Sequence, residues 1–122
     1  MDLKNWIVVL LVAMDAGWML FDGTRALIVG DYVTPKTGEY AGQLGPWSNL
    51  VKAIGIEPRS TLMKLIFVVY GVAALVIAIC FALGQSWAWW GMLAISILGL
   101  WYLPIGTVVN IIVIGLLIFI KP

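Results

Sequence analysis

The first apolar stretch, residues 6–30, constrains the fold most, because it is long enough to cross a membrane and yet carries charged side chains. On a helix that rises 1.5 Å per residue, Asp15 would lie about 13 Å into a hydrocarbon core about 30 Å thick. An ionised carboxylate at that depth costs about 3 kcal/mol on insertion scales. We therefore expect Asp15 to face protein or water rather than lipid.

The composition assigns the chain to a class. Of its 122 residues, 63% are hydrophobic and 11% are charged, whereas soluble domains are about 25% charged. This predicts an integral membrane protein made of a single membrane domain, residues 1–122. A net charge of +1 does not provide the basic surface that nucleic-acid binding requires. The chain has no histidine, and its one cysteine, Cys80, lies in an apolar run, so we predict no metal site and no cofactor.

Apolar periodicity and breaks divide the chain into four membrane-crossing helices. A single helix over residues 87–120 would span about 51 Å, so that run must fold back, with Pro104 and Gly106 at the turn. The sequence thus predicts an all-α integral membrane protein, a four-transmembrane-helix bundle with both termini on one side. The predicted helices cover about residues 6–29, 60–83, 87–102 and 106–120.

Residues 30–60 form the one extended polar region, with a turn signal at residues 35–38. Within it, residues 46–55 have the pattern of a short amphipathic helix, with proline at the start and glycine at the end. Two positions fit this helix equally: on the membrane surface, or packed back onto the bundle as a lid. In both cases it would use one apolar face, formed by Trp47, Leu50, Val51 and Ile54.

Polar side chains of all four predicted helices fall at similar depths. Counted at 1.5 Å per residue, they lie about 9 to 16 Å inside the membrane, which predicts one buried polar layer. Its predicted members are Asp15, Tyr70, Ser96 and Asn110. One hypothesis is structural, with Asp15 held by hydrogen bonds inside the chain. The other is functional, with the layer open to water in an oligomer and Asp15 exchanging protons or binding a cation.

Two further charges lie near the other end of the first helix. Asp22 and Arg25 are spaced i, i+3, so they are expected to form an interfacial charge pair. Asp15 and Asp22 are seven residues apart, which separates them by about 10 Å on a helix, too far to share a proton as in an aspartic-protease dyad. With no nucleophile and base pair in the sequence, we predict no catalytic residues and no enzyme.

The distribution of basic and aromatic residues bears on orientation. Five Lys and Arg residues are expected on the loop side against Lys4 and Lys121 on the terminal side. The large loop is therefore predicted to be cytoplasmic, with a bacterial inner membrane as the expected location. Aromatic residues near the helix ends are expected to form two belts. These are Trp6, Trp87, Trp89, Trp90 and Phe119 on the terminal side, and Tyr32, Trp47, Trp101 and Tyr102 on the loop side.

The order of a first helix, a polar loop with an amphipathic helix, a proline-led second helix and a tight hairpin resembles small DoxX-like four-helix membrane proteins in layout. From little soluble mass and many small helix residues we predict an accessory or assembly subunit of a larger membrane complex, with membrane lipids and other membrane subunits as partners. Two alternatives are an oligomeric proton or cation pore or carrier that uses Asp15, and a protein that binds a lipid or hydrophobic ligand between its helices.

Overall fold

The computed structural model describes residues 3–34, 42–102 and 105–120. This part of the chain is all-helical, without strands. The expected turn at residues 35–38, Lys36, Pro104 and Lys121 lie outside the described residues. The five helices are α1 (Leu3–Val29), α2 (Trp47–Ala53), α3 (Thr61–Ala82), α4 (Ala88–Leu98) and α5 (Ile105–Phe119).

Two of the described helices, α1 and α3, are long and apolar enough to cross a membrane. The helices α4 and α5 are also apolar but have 11 and 15 residues. The helix expected over residues 87–102 is shorter than predicted, because α4 ends at Leu98 and turns follow it. At the end of α4, Gly99 lies directly against the Tyr70 hydroxyl and the Asn110 amide, where no Cβ atom would fit.

The boundaries of α3 follow from its end residues. The Ser60 hydroxyl accepts a hydrogen bond from the Met63 backbone N–H at 3.2 Å and caps the helix start. Beyond the helix end, Gly84 has a φ of +83°, a left-handed conformation that glycine adopts without a steric penalty.

The helices α1 and α3 run antiparallel and approach closely at two glycines. A Cβ atom on Gly23 would lie 2.6 Å from the Phe67 Cβ, and one on Gly71 would lie 2.9 Å from the Ala16 carbonyl oxygen. Small residues at such positions let two helix backbones meet, which is a common way for helices to associate in membranes. Each of α1 and α4 also packs against α5, and α4 packs against α3.

The core has two parts. The part nearer the chain termini joins α1, α3, α4 and α5 through aliphatic and small side chains such as Val12, Ala74, Met92 and Leu117. The other part, on the loop side, contains an aromatic cluster with ring centroids 4.8 to 6.1 Å apart. The aromatic cluster consists of Tyr32, Trp47, Phe67, Trp101 and Tyr102.

The predicted apolar face of α2 divides into two halves. Trp47 and Val51 are buried in the loop-side core, which favours the lid interpretation of this helix. Leu50 is 41% exposed and Ile54 is 70% exposed, so this second half faces outward. The helix is also shorter than the predicted 46–55, because Ile54 and Gly55 already leave the helical path, the latter with a φ of +94°.

Candidate functional site

Asp22 and Arg25, the expected interfacial charge pair, make no direct salt bridge within the described residues, although the charge of Arg25 acts on the Asp22 carboxyl. The Asp22 Oδ1 accepts a hydrogen bond from the Val33 backbone N–H at 2.6 Å, while the Arg25 Nη1 donates to the Asp31 carbonyl oxygen at 3.0 Å. The cause is the turn at Gly30, whose φ of +106° brings the next residues back to the end of α1. An i, i+3 spacing allows two side chains of a helix to meet. Here each side chain instead bonds to a backbone group that the turn after α1 brings near.

A salt bridge holds this turn to the segment before α3. The Arg59 Nε lies 3.0 Å from the Asp31 Oδ1. Burial acts to raise the pKa of the Asp31 carboxyl, but the hydrogen bonds from Arg59 and from the Tyr32 backbone N–H, together with the charge of Lys64, lower it below its usual value. Asp31 is therefore ionised at neutral pH, as this contact requires.

Three of the four predicted polar-layer residues come together between the helices. The Asp15 carboxyl, 8% exposed, interacts with the Asn110 side-chain amide, and its charge acts on the Tyr70 hydroxyl. The Asn110 Nδ2 also donates to the Gly106 carbonyl at 2.7 Å, and the Tyr70 hydroxyl donates to the Ile95 carbonyl at 2.6 Å. Tyr70 and Asn110 thus satisfy backbone carbonyls as well as surrounding Asp15.

The fourth residue, Ser96, does not join this network. It is fully buried, and its hydroxyl has no hydrogen-bond partner within the described part of the chain. It lies next to Ile95, whose carbonyl receives the Tyr70 hydroxyl. An equal position along the helices therefore places a residue near the polar layer without determining the direction in which its side chain points.

Asp15 lines a cavity of about 220 Å³ between α1 and α5, which we call the Asp15 cavity. Apart from the Asp15 carboxyl and the polar tips of two aromatic residues, its wall is apolar. Met14 is 71% exposed and Ile105 is 68% exposed, so the cavity opens on the outer surface of the helices. It is lined by Leu11, Met14, Asp15, Trp18, Tyr102, Ile105 and Val109.

A second cavity, of about 150 Å³, continues toward the loop and shares three wall residues with the Asp15 cavity: Trp18, Tyr102 and Ile105. Asp22 lines its wall, together with Trp47 of α2. Where the two cavities meet, the Trp18 side chain interacts with the Tyr102 hydroxyl. Asp15 and Asp22 therefore border two neighbouring cavities at different depths along one side of α1.

Sequence reasoning missed Tyr102, Ile105 and Val109 as parts of the site. The sequence predicts Tyr102 in an aromatic belt, whereas the structure buries it in the loop-side core. The other two residues carry no sign of a binding role in the sequence. Trp18 was detectable, because it follows Asp15 by three residues and so shares its helix face. The pairing of α5 with α1, which completes the cavity, is not encoded in any local pattern.

The described residues hold no group of three or more histidine, cysteine, aspartate or glutamate side chains that could bind a metal ion. Comparisons of the chain with protein-family models, curated proteins and solved structures give no match. The resemblance to DoxX-like proteins therefore remains one of layout, and the site has to be interpreted from its own geometry.

Proposed function

We propose that the chain is a multi-pass membrane protein, a four-helix bundle that binds an amphiphilic ligand in the Asp15 cavity. The observation that carries this proposal is a carboxyl group in the wall of an otherwise apolar cavity that opens outward between α1 and α5. Binding sites for small molecules combine these two features, an apolar wall for contact area and a few polar groups for orientation.

The four-crossing arrangement is supported by the outer surface of the two shorter helices. Ile97 of α4 and Ile111 and Ile118 of α5 are 53 to 63% exposed, and such continuous apolar surface is disfavoured in water. Because α4 and α5 are short, they would cross where the bilayer is locally thin. The loop carries Lys52 and Arg59, whereas the other end of α1 carries Lys4. This excess of basic residues supports a cytoplasmic loop.

Cysteine labelling tests this topology. In a Cys80→Ser background, cysteines at Lys4 and Ser86 should react with a membrane-impermeant maleimide from one side of sealed vesicles. Cysteines at Asn49 and Leu100 should react from the other side, which is the cytoplasmic side if the basic residues set the orientation. Labelling of Asn49 and Ser86 from the same side would show that α3 does not cross the membrane. Labelling of Ser86 and Leu100 from the same side would show that α4 does not cross it.

The chemistry of the cavity selects the kind of ligand. Leu11, Ile105 and Val109 offer contact to a hydrocarbon chain, while Asp15 offers carboxylate oxygens that accept hydrogen bonds. A hydrogen-bond-donating head group, above all an amine, would therefore be oriented toward Asp15. The opening past Met14 faces the region of the acyl chains, so the ligand would enter laterally from the membrane.

Two neighbouring valines of α5 give a matched test of this binding. Val109→Phe places a ring in the Asp15 cavity, whereas Val108→Phe adds the same ring on the outer surface, where Val108 is 57% exposed. For protein extracted in native nanodiscs, we expect native mass spectrometry to show a bound amphiphile that Val109→Phe removes and Val108→Phe retains. Equal retention by both variants would contradict the proposed site.

The other two functions predicted from the sequence remain predictions. An accessory subunit should co-purify as a defined heteromer under the same detergent-free conditions. A proton or cation pore should instead give flux in liposomes that Asp15→Asn abolishes while the protein remains folded, because the amide keeps the size of the side chain but removes its charge.

A further inference from the structure

Three cations meet at the turn that follows α1. The Lys64 Nζ donates to the Gly30 carbonyl at 3.0 Å, and the Arg25 Nη1 donates to the Asp31 carbonyl at 3.0 Å. The Arg59 Nε donates to the Asp31 carboxylate, also at 3.0 Å. Side chains from α1, from α3 and from the segment before α3 are thus held around Gly30 and Asp31. We call these two residues, together with the three cations, the basic turn.

The basic turn has more positive than negative charge. Three cations, Arg25, Arg59 and Lys64, lie against two acids. Arg59 contacts the exposed Asp31 carboxylate, and the buried Asp22 carboxyl interacts with the charge of Arg25. The Arg59 Nη2 also donates to the Gly42 carbonyl at 2.9 Å. Each cation still has further N–H donors, because Lys carries three and Arg five. An anion at this place would therefore gain hydrogen bonds as well as charge attraction.

An apolar groove begins at the basic turn and follows the outer side of α1. Its volume is about 410 Å³. At its far end a Cβ atom on Gly17 would meet nothing within 4 Å, so the groove is open there. From Arg25 to Gly17 the helix rises about 12 Å. The groove is lined by Gly17, Leu20, Phe21, Thr24, Arg25, Ile28 and Val29.

We propose that the basic turn and this groove form a binding site for one anionic phospholipid, with the head-group phosphate at Arg25 and Lys64 and an acyl chain along α1. The charge excess at the turn and the apolar groove below it match the two parts of such a molecule, and basic pockets at the ends of membrane helices bind anionic head groups by this chemistry. The site shares no wall residue with the Asp15 cavity, and it is a function beyond the one proposed above.

Lipid competition in nanodiscs tests the site. The wild-type protein should retain phosphatidylglycerol in preference to phosphatidylcholine with the same acyl chains, as counted by native mass spectrometry. Arg25→Gln and Lys64→Gln should each weaken this preference about fivefold, the effect of one cation near a membrane surface. Lys52→Gln is the matched control, because Lys52 is an exposed cation of α2 that makes none of the hydrogen bonds to Gly30 and Asp31, and it should change the preference little.

A second variant separates lipid binding from any loss of the turn structure. Gly17→Leu fills the far end of the groove and leaves every charge in place, and it should also lower phosphatidylglycerol retention. Gly115→Leu, at an α5 glycine with equally open space, should not. The proposal would be overturned by equal retention of the two lipids, by an equal effect of Lys52→Gln and Lys64→Gln, by no effect of Gly17→Leu, or by displacement of the lipid with excess inorganic phosphate.

Discussion

Replacing Trp47 by alanine is expected to lower the free energy of unfolding by about 3 to 5 kcal/mol, the usual range for loss of a large buried aromatic side chain. Trp47 is 5% exposed and its ring contacts four others, those of Tyr32, Phe67, Trp101 and Tyr102. It is also the main side chain through which α2 contacts α3 and the segments that follow α1 and α4. Its removal should therefore release α2 as well as leave a cavity.

Two measurements check this result. Thermal unfolding in one fixed detergent gives the change in stability, and limited proteolysis reports the release of α2 as new cleavage near Gly45 or Gly55. Trp90→Ala is the matched control, because Trp90 is 61% exposed and its loss should cost far less. Equal changes for Trp47→Ala and Trp90→Ala would mean that the aromatic cluster does not anchor the loop.

Replacing Gly71 by alanine is expected to force α1 and α3 apart and to cost about 1 to 3 kcal/mol, as overpacking of a close contact does. The new Cβ atom would lie 2.8 Å from the Leu20 Cβ and 2.9 Å from the Ala16 carbonyl oxygen. Both belong to or adjoin the α1 backbone, so a change of side-chain rotamer cannot relieve the contact.

Gly115→Ala should change the stability in the opposite direction. No atom lies within 4 Å of the position of its Cβ, so alanine should gain up to about 1 kcal/mol of helix propensity without a clash. Thermal unfolding of the two variants under identical conditions compares them. If Gly71→Ala were as stable as Gly115→Ala, the result would contradict a close contact between α1 and α3 at Gly71.

Features that depend on local chemistry could be predicted from the sequence. The Ser60 cap and the Gly84 end of α3 follow from residue type and spacing, and the matching positions of Asp15 and Asn110 along their helices follow from the rise of a helix. Residue type, spacing and helix rise describe positions within one helix, and helix rise also gives positions along the axes of neighbouring helices. For that reason the length of α3 and the closeness of Asp15 to Asn110 could be anticipated.

The rest depends on how the helices turn toward one another. Ser96 is buried beside the polar layer but makes none of its hydrogen bonds. Asp22 accepts a hydrogen bond from the Val33 backbone instead of making a salt bridge with Arg25. In both cases, rotation of a helix or the return of the chain after Gly30 decided the outcome. The Asp15 cavity required the same information, because Val109 on α5 becomes a wall residue only when α5 packs beside α1.

The central claim, that the Asp15 cavity binds an amphiphile, is tested most directly by ¹⁹F NMR of 5-fluorotryptophan-labelled protein in bicelles. Trp18 lines the cavity and Trp90 is exposed elsewhere on the surface, and each signal is assigned by its Trp→Phe variant. Titration with dodecylamine should shift the Trp18 signal to saturation, leave Trp90 with no saturating shift, and lose the effect in Val109→Phe. Parallel, non-saturating shifts of Trp18 and Trp90, unchanged by Val109→Phe, would contradict binding in the cavity.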